Sequence, residues 1–162
     1  MRPIDEHEIR ASFINASRKE VSSLNLPPGF AEIDFDRLDY LGWSDPRFAR
    51  RAYVVTEVDG VLTGALLQRA EQRVLSRAQC SWCEDVTLRN DVQLFTARKA
   101  GPAGRSGDTI GTLVCAEFGC SHSVRLLPPL AYEGFDREAA RDARITRLGE
   151  HARAFLREIA KA

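Results

Sequence analysis

The sequence has no excess of charge of either sign, and this absence excludes several kinds of function. Its 162 residues carry 23 basic and 23 acidic side chains, so the formal net charge at pH 7 is zero. A protein that attracts nucleic acid or a membrane through its overall field carries a basic excess, which is missing here. Only a local basic patch could provide such an attraction.

Long hydrophobic runs are also missing. No segment approaches the roughly 18 consecutive apolar residues of a membrane-spanning helix. The first residues, MRPIDEHEIR, are too polar for a signal or transit peptide. We therefore expect a cytoplasmic protein with reduced cysteines and no membrane partner. A chain of 162 residues is long enough to bury a real core, and we expect a single domain over 1–162.

Recognisable catalytic motifs are absent as well. We find no Ser nucleophile elbow, no phosphate-binding P-loop and no dinucleotide-binding fingerprint. The glycine-rich stretch GPAGRSGD lacks the GK[ST] ending of a P-loop and lies between two predicted strands rather than before a helix. The His-x-Glu element of nucleobase deaminases is missing too. We therefore expect no catalytic residues, no small-molecule substrate and no enzymatic activity.

Two helices are predicted, one near each end of the sequence. Asp5 and Glu8 stand at capping-box spacing, which predicts a helix over 5–23 that ends at LNLPPG. Asp136 is a candidate N-cap for a long helix over 136–160. A stripe of apolar residues at three- and four-residue spacing supports this second helix; its members are Ile145, Leu148, Ala152, Phe155 and Ile159.

Between these helices, β-rich runs predict antiparallel hairpins. RAYVVTEV and VLTGALLQ are joined by Asp59-Gly60, which favours a tight primed turn, so we expect a hairpin over 48–70. VQLFTARKA and TIGTLVC predict two further strands. The predicted fold class is therefore α+β.

An aromatic-rich stretch precedes the first hairpin. It contains Phe30, Phe35, Tyr40, Trp43 and Phe48. We interpret it as a loop that packs over the core. The alternative is an exposed recognition surface.

All four cysteines fall into two close pairs. Cys80 and Cys83 form a C-x2-C element, and Cys115 and Cys120 form a C-x4-C element. A tetrahedral zinc site needs four soft ligands, and short loops supply them in pairs because each pair must bend around one ion. Gly119 is expected to supply the backbone freedom before Cys120. The pattern predicts one structural zinc ion.

Other interpretations of the cysteines are weaker. Four independent buried cysteines would seldom fall into such pairs, and a redox C-x-x-C would leave the second pair unexplained. His122 could replace Cys120 as the fourth ligand, although a surface histidine just past the ligand is the simpler interpretation. Four thiolates close the coordination sphere, whereas a hydrolytic zinc keeps one position open for water.

Five stretches of the sequence resemble the elongation factor G-binding family of the FusB type, which is associated with fusidic acid resistance. They are IRASFINASRKE, LDYLGWSDPR, RAYVV, CSWC and FTARKAGPAGRSGDTIGTLVCAEFGCSHSVR. The resemblance extends over about residues 5–160 and concerns the C-terminal zinc-binding domain of that family.

The resemblance implies a treble-clef zinc finger over 78–126, with Cys80, Cys83, Cys115 and Cys120 at the positions of the family's ligands. It also implies a non-enzymatic protein that binds elongation factor G on the ribosome and promotes its release when fusidic acid has stalled it. The resistance proteins carry an additional helical N-terminal region. We expect that in this chain only the predicted helix over 5–23 takes the place of that region.

The segment Arg98 to Asp108 is the predicted partner-binding element. It places Arg98, Lys99 and Arg105 among glycines, where cations can reach carboxylates or phosphates on another molecule. The alternative is an ordinary solvated hairpin tip.

Three functions remain open from the sequence. The first is binding of elongation factor G. The second is direct binding of ribosomal RNA or the ribosome through the Arg98–Arg105 segment. A weaker third is metal or thiol sensing, which would require accessible cysteines.

Overall fold

The structure, a computed structural model, describes residues 1–71, 78–86 and 91–161. Within these residues the helices are α1 (Glu6–Ser12), α2 (Arg18–Ser22), α3 (Gly101–Arg105), α4 (Cys120–Arg125) and α5 (Arg137–Ala160). The strands are β1 (Leu41–Ser44), β2 (Arg51–Val58), β3 (Val61–Arg69), β4 (Val92–Arg98) and β5 (Thr109–Cys115). Two 3-10 turns, at Phe30–Glu32 and Phe35–Arg37, precede β1.

The strands form an antiparallel sheet in chain order, β1-β2-β3-β4-β5. The predicted hairpin is the β2–β3 pair, in which Val58 lies opposite Val61. Asp59 and Gly60 form its turn with φ values of 51° and 80°, as a type I′ turn requires at both central positions. The α+β fold class is confirmed, and β1 is a strand that the sequence patterns missed.

The predicted helix over 5–23 is wrong as a single helix, because the chain divides into α1 and α2. After α1, Phe13 forms a bridge with Gly64 of β3, and the Ile14 amide donates a hydrogen bond to the Gly64 carbonyl at 3.0 Å. A second capping box, between Ser17 and Glu20, then starts α2. Pairing with the sheet therefore interrupts a helix that local signals alone would continue.

The segment between β4 and β5 is not a plain hairpin tip, since it contains the short helix α3. A Cβ on Gly104 would lie 1.7 Å from the Lys99 carbonyl oxygen, so only glycine allows the helix to pack this closely on the end of β4. The Lys99 amide in turn donates to the Asp108 carbonyl at 2.9 Å.

The long C-terminal helix agrees with its prediction. Asp136 caps α5 by accepting hydrogen bonds from the amides of Glu138 and Ala139. The predicted stripe faces the protein, with Leu148, Ala152, Phe155 and Ile159 buried and Ile145 partly buried. In the described part of the chain, no helix is both long and apolar enough to cross a membrane.

Each face of the sheet covers its own core. Along β2, Ala52 and Val54 belong to a first core that also contains all four cysteines and α5, whereas Tyr53 and Val55 belong to a second core under the N-terminal segment. This alternation is the two-residue period of a strand covered on both sides.

The aromatic stretch covers both cores, as expected for most of its residues. Tyr40 is buried in the first core and Trp43 in the second. Phe30 and Phe35 pack against the second core. Phe48 is 42% exposed and does not belong to either core.

Candidate metal centre

The two cysteine pairs meet in one buried cluster. The four Sγ atoms all lie within 4.8 Å of one another. Two of the separations, Cys80 to Cys120 and Cys83 to Cys115, are 3.7 Å. A disulfide would require about 2.05 Å, so all four are free thiols. With Zn–S bonds of about 2.3 Å, the edge of a ZnS4 tetrahedron is roughly 3.8 Å, and the cluster therefore has the size for zinc.

The first pair lies in a tight turn that directs both sulfurs inward. The backbone amides of Trp82 and Cys83 point at the Cys80 sulfur, at 3.4 and 3.5 Å. The Glu84 amide donates to the Cys80 carbonyl at 3.0 Å, and Glu84 has a left-handed φ of 53°. Amide hydrogens aimed at a sulfur stabilise a thiolate there.

The second pair spans the end of β5 and the start of α4. Cys115 is the last residue of the strand, and the Phe118 amide donates to its carbonyl at 2.9 Å. The expected role of Gly119 is wrong: its φ is −76°, and the left-handed residue of the turn is Phe118, at 55°. The chain thus reverses one residue earlier than the glycine suggested.

Aromatic side chains cover the sulfurs; Trp82 and Phe118, next to the ligands in the sequence, are 2% and 6% exposed. Sequence reasoning missed Tyr40. Its ring meets Trp82 edge to face, with ring centroids 4.9 Å apart, and its hydroxyl donates to the Phe118 carbonyl at 3.2 Å. Only the fold brings Tyr40 here, since no spacing rule connects it to the cysteines. Such a cover keeps water from the sulfurs.

The thiols influence one another strongly. Hydrogen bonds with Cys115, Cys120 and Cys83 hold the pKa of Cys80 well below its ordinary value. The pKa of Cys120 is raised, because hydrogen bonds with the other three sulfurs and its burial favour the neutral thiol. Four thiols this close cannot all ionise to thiolates unless a cation balances their charge. The donor set therefore fits a thiophilic dication.

His122 does not join this cluster. It lies two residues beyond Cys120 on the exposed side of α4, whereas Cys120 is fully buried. Among the described residues, the group that could hold a metal consists of the four cysteines.

An ion pair that was not predicted fastens the metal centre to α5. Arg144 of α5 pairs with Asp85, which follows the first cysteine pair, and their side chains are 16% and 4% exposed. The Nδ1 atom of His151, also in α5, lies 3.0 Å from the Trp82 carbonyl. The arginines of this helix are therefore not all solvated surface.

The three predicted partner-binding cations lie around one cavity between β4 and the α1–α2 connection. Arg98, Lys99 and Arg105 all line it. Arg98 also donates to both carboxylate oxygens of Glu20, at 2.9 and 3.1 Å. The structure thus brings the three cations together and anchors one of them to α2.

Comparison with known proteins identifies the family of the domain that contains this site. The model of a family described as FBP C-terminal treble-clef zinc-finger matches residues 8–159. A treble clef of this kind with four clustered cysteines holds one zinc ion, so the predicted cofactor is confirmed.

Among solved structures, one titled as the fusidic acid resistance protein FusC has 22% sequence identity and a TM-score of 0.47. The similarity covers 71% of this chain and 56% of the FusC chain, so this chain spans little more than half the length of that protein. The search of curated proteins found no match.

Proposed function

The chain belongs to the FBP C-terminal treble-clef zinc-finger family, and from this premise we propose that it is a non-enzymatic protein that binds elongation factor G. The observation that carries the proposal is the extent of the family match. It covers residues 8–159, so a single family model includes both cysteine pairs and the basic segment between β4 and β5.

The proposed metal ligands are Cys80, Cys83, Cys115 and Cys120. Four buried thiolates fill the coordination sphere of one zinc ion and leave no position for a reactive water. The zinc is therefore structural in this proposal. The bound zinc ion holds the end of β5, the start of α4 and the turn at 80–83 against α5.

The proposed partner-binding residues are Arg98, Lys99 and Arg105, which line a common cavity. Arg98 and Arg105 are exposed and Lys99 is half-buried, and cations on such a glycine-rich segment can reach carboxylates on the surface of another protein. Binding of this kind needs no chemistry. If the complex stabilises one conformation of elongation factor G over another, it shifts the factor toward release from the ribosome, also when fusidic acid has stalled it.

We propose further that residues 1–162 act as one domain in the cytoplasm. The cysteines share their core with strands of the sheet and with α5, so the metal centre and the sheet are packed together. The absence of a disulfide among the four cysteines agrees with a reducing compartment, where elongation factor G and the ribosome are also found.

The proposal is tested by calorimetric titration of the zinc-loaded protein with elongation factor G from the same organism at two salt concentrations. We expect saturable one-to-one binding that weakens at least about tenfold in the Lys99→Gln/Arg105→Gln variant. Arg47→Gln/Arg141→Gln, which removes the same charge elsewhere, serves as the control. Absence of binding at both salt concentrations would refute the proposal.

A second function, binding of ribosomal RNA, is favoured by the charge of the cavity, to which three cations contribute. Phosphate contacts make affinity fall steeply with salt, whereas a mixed protein interface depends on salt much less. The same titration with ribosomal RNA therefore separates the two functions by their salt dependence.

A further inference from the structure

A cavity of about 280 Å³ lies between the α1–α2 connection and the segment that joins β4 to β5. Residues 14–17 form one wall, and residues of the segment 98–105 form the other. None of the four cysteines lines it. The cavity is therefore a separate site from the metal centre.

The lining of this cavity has charge of one sign. Arg98, Lys99 and Arg105 contribute three cations, and no carboxylate is among the lining residues. Glu20 lies beside the cavity, but its charge is balanced by the ion pair with Arg98. Among the described residues, neither Lys99 nor Arg105 forms an ion pair. Glu158, which pairs with Lys161, also interacts with the charge of Lys99 but forms no ion pair with it. Lys99 and Arg105 therefore remain able to meet an anion.

The walls are held in place before any ligand arrives. The Asn15 side chain donates to the carbonyls of Leu66 and Arg98 at 3.0 and 2.9 Å, and its carbonyl oxygen accepts from the Leu66 amide at 2.8 Å. All three hydrogen bonds join the α1–α2 connection to the sheet. Because these walls are already ordered, ligand binding does not have to offset the free-energy cost of ordering them.

Gly101 of the second wall is exposed and lets a ligand approach its backbone, whereas Gly104 is buried. Gly101, at a left-handed φ of 64°, and Gly104 both line the cavity without a side chain. Gly104 cannot be replaced by a larger residue in this position, because of its contact with the Lys99 carbonyl. The wall therefore combines accessible backbone at Gly101 with the cations Lys99 and Arg105.

We propose that this cavity binds a phosphate group. A tetrahedral oxyanion can meet several separate cations at once, and Arg and Lys are the side chains that bind phosphate most often. A cavity of about 280 Å³ has room for the phosphate and part of the molecule that carries it. The phosphate is either a diester in RNA or a free phosphate compound, and both sources offer the same chemistry to the cations.

This inference uses the same basic segment as the proposed function but does not depend on elongation factor G. It adds the α1–α2 connection to the site and names the group that is bound. Elongation factor G binding without phosphate binding would refute this inference alone, and the reverse result would refute the proposed function alone.

The test is a calorimetric titration of the zinc-loaded full chain with two probes, inorganic pyrophosphate and a single-stranded hexauridylate RNA. We expect at least one probe to bind, and Lys99→Gln/Arg105→Gln to weaken that binding at least about tenfold, with a smaller salt slope for the RNA. Arg47→Gln/Arg141→Gln should change the affinity less than about twofold, because it removes the same charge outside the cavity.

Each outcome has a defined meaning. Binding of pyrophosphate alone identifies a free phosphate compound as the ligand class, and binding of RNA alone identifies the diester. Binding of both identifies a general phosphate site. If neither probe binds, or if the cavity variant and the control variant lose affinity equally, the inference is wrong. Circular dichroism of both variants establishes that they are folded.

Discussion

At the scale of single residues, two glycines near the metal centre have opposite surroundings. A Cβ on Gly42 of β1 would lie 2.7 Å from the Phe118 ring, and the ring itself packs on Phe95 with centroids 5.0 Å apart. A Cβ on Gly119 would meet nothing within 4 Å. Gly42 is therefore required by packing, whereas Gly119 is not required by packing or by its φ.

We predict that Gly42→Ala lowers the free energy of unfolding by about 1–3 kcal/mol, because the aromatic cover of the zinc centre must move. Gly119→Ala is the control and should change it by less than about 0.5 kcal/mol. Urea unfolding of both zinc-loaded variants measures the difference. Equal stability of the two variants would contradict the packing argument.

Asp45 is a second residue whose surroundings determine a property of its side chain, in this case the ionisation of the carboxyl group. It is 4% exposed and accepts hydrogen bonds from the Tyr53 hydroxyl at 2.7 Å and from the Arg47 amide at 2.8 Å. Burial raises the pKa of Asp45, but these bonds, together with those from Asn25 and Phe48, outweigh it, and the pKa lies below its ordinary value. The folded state therefore favours the ionised carboxylate.

A lowered pKa has a defined consequence for stability. The contribution of Asp45 is fully present above the unfolded pKa of about 3.9 and is lost as the pH falls through the lower folded pKa. We predict that Asp45→Asn is less stable than the exposed control Asp36→Asn at pH 6, and that this difference shrinks toward pH 3. Urea unfolding across this range measures it. A difference that stays constant with pH would contradict the prediction.

At the scale of elements, α5 and the first cysteine turn are connected by the ion pair between Arg144 and Asp85. Its side chains are 16% and 4% exposed, whereas those of the neighbouring pair Arg141–Asp142 are 31% and 64% exposed. Removing one partner of a poorly solvated pair takes a compensating charge away from the other, and exposed pairs contribute little.

Arg144→Met should therefore lower the free energy of unfolding by about 1–3 kcal/mol, more than the matched variant Arg141→Met. Methionine replaces the unbranched apolar part of the arginine side chain and removes the guanidinium group with its charge and its donors. Thermal unfolding of both variants with zinc bound provides the comparison. If Arg141→Met proves as destabilising as Arg144→Met, the pair does not fasten the turn to α5.

Elements also differ in how far local signals predict them. Asp59-Gly60 predicts its hairpin because both residues accept positive φ, and the stripe of α5 predicts that helix because it repeats over many turns. The prediction of one helix over 5–23 is wrong because the capping box at Asp5 indicates where a helix begins but not where pairing with the sheet interrupts it. The bridge between Phe13 and Gly64 joins residues far apart in the sequence, which no local pattern records.

At the scale of the whole molecule, the zinc centre and the sheet are parts of one core. The four cysteines belong to the same buried cluster as Val54 of β2, Leu67 of β3, Phe95 of β4 and Leu156 of α5. Loss of the metal therefore affects more than the turn that carries the ligands. It leaves four buried thiols at the centre of the packing between sheet and helix.

We predict that Cys83→Ser or Cys115→Ser abolishes stoichiometric zinc binding and cooperative thermal unfolding, since structural zinc contributes roughly 10–16 kcal/mol of coupled binding and folding. Removal of zinc with a chelator should have the same effect. His122→Ala is the control and should retain one zinc ion per chain. Metal analysis and circular dichroism are the measurements. A Cys83→Ser protein with unchanged thermal stability would exclude a structural role for the metal.

The sequence by itself determined the features that short-range chemistry specifies. The spacing of Cys80 with Cys83, and of Cys115 with Cys120, requires only that each pair bend around one ion, so the zinc centre could be predicted without a fold. The turn at Asp59-Gly60 and the long helix α5 are local in the same sense.

Only the tertiary structure decided the rest. It brought Tyr40 over the sulfurs, divided the N-terminal helix and placed residues 14–17 opposite residues 98–105 to form the cationic cavity. Each of these features joins segments that are distant in the chain. Their positions depend on how the two faces of one sheet are covered, and periodicity and spacing within a segment contain no information about that choice.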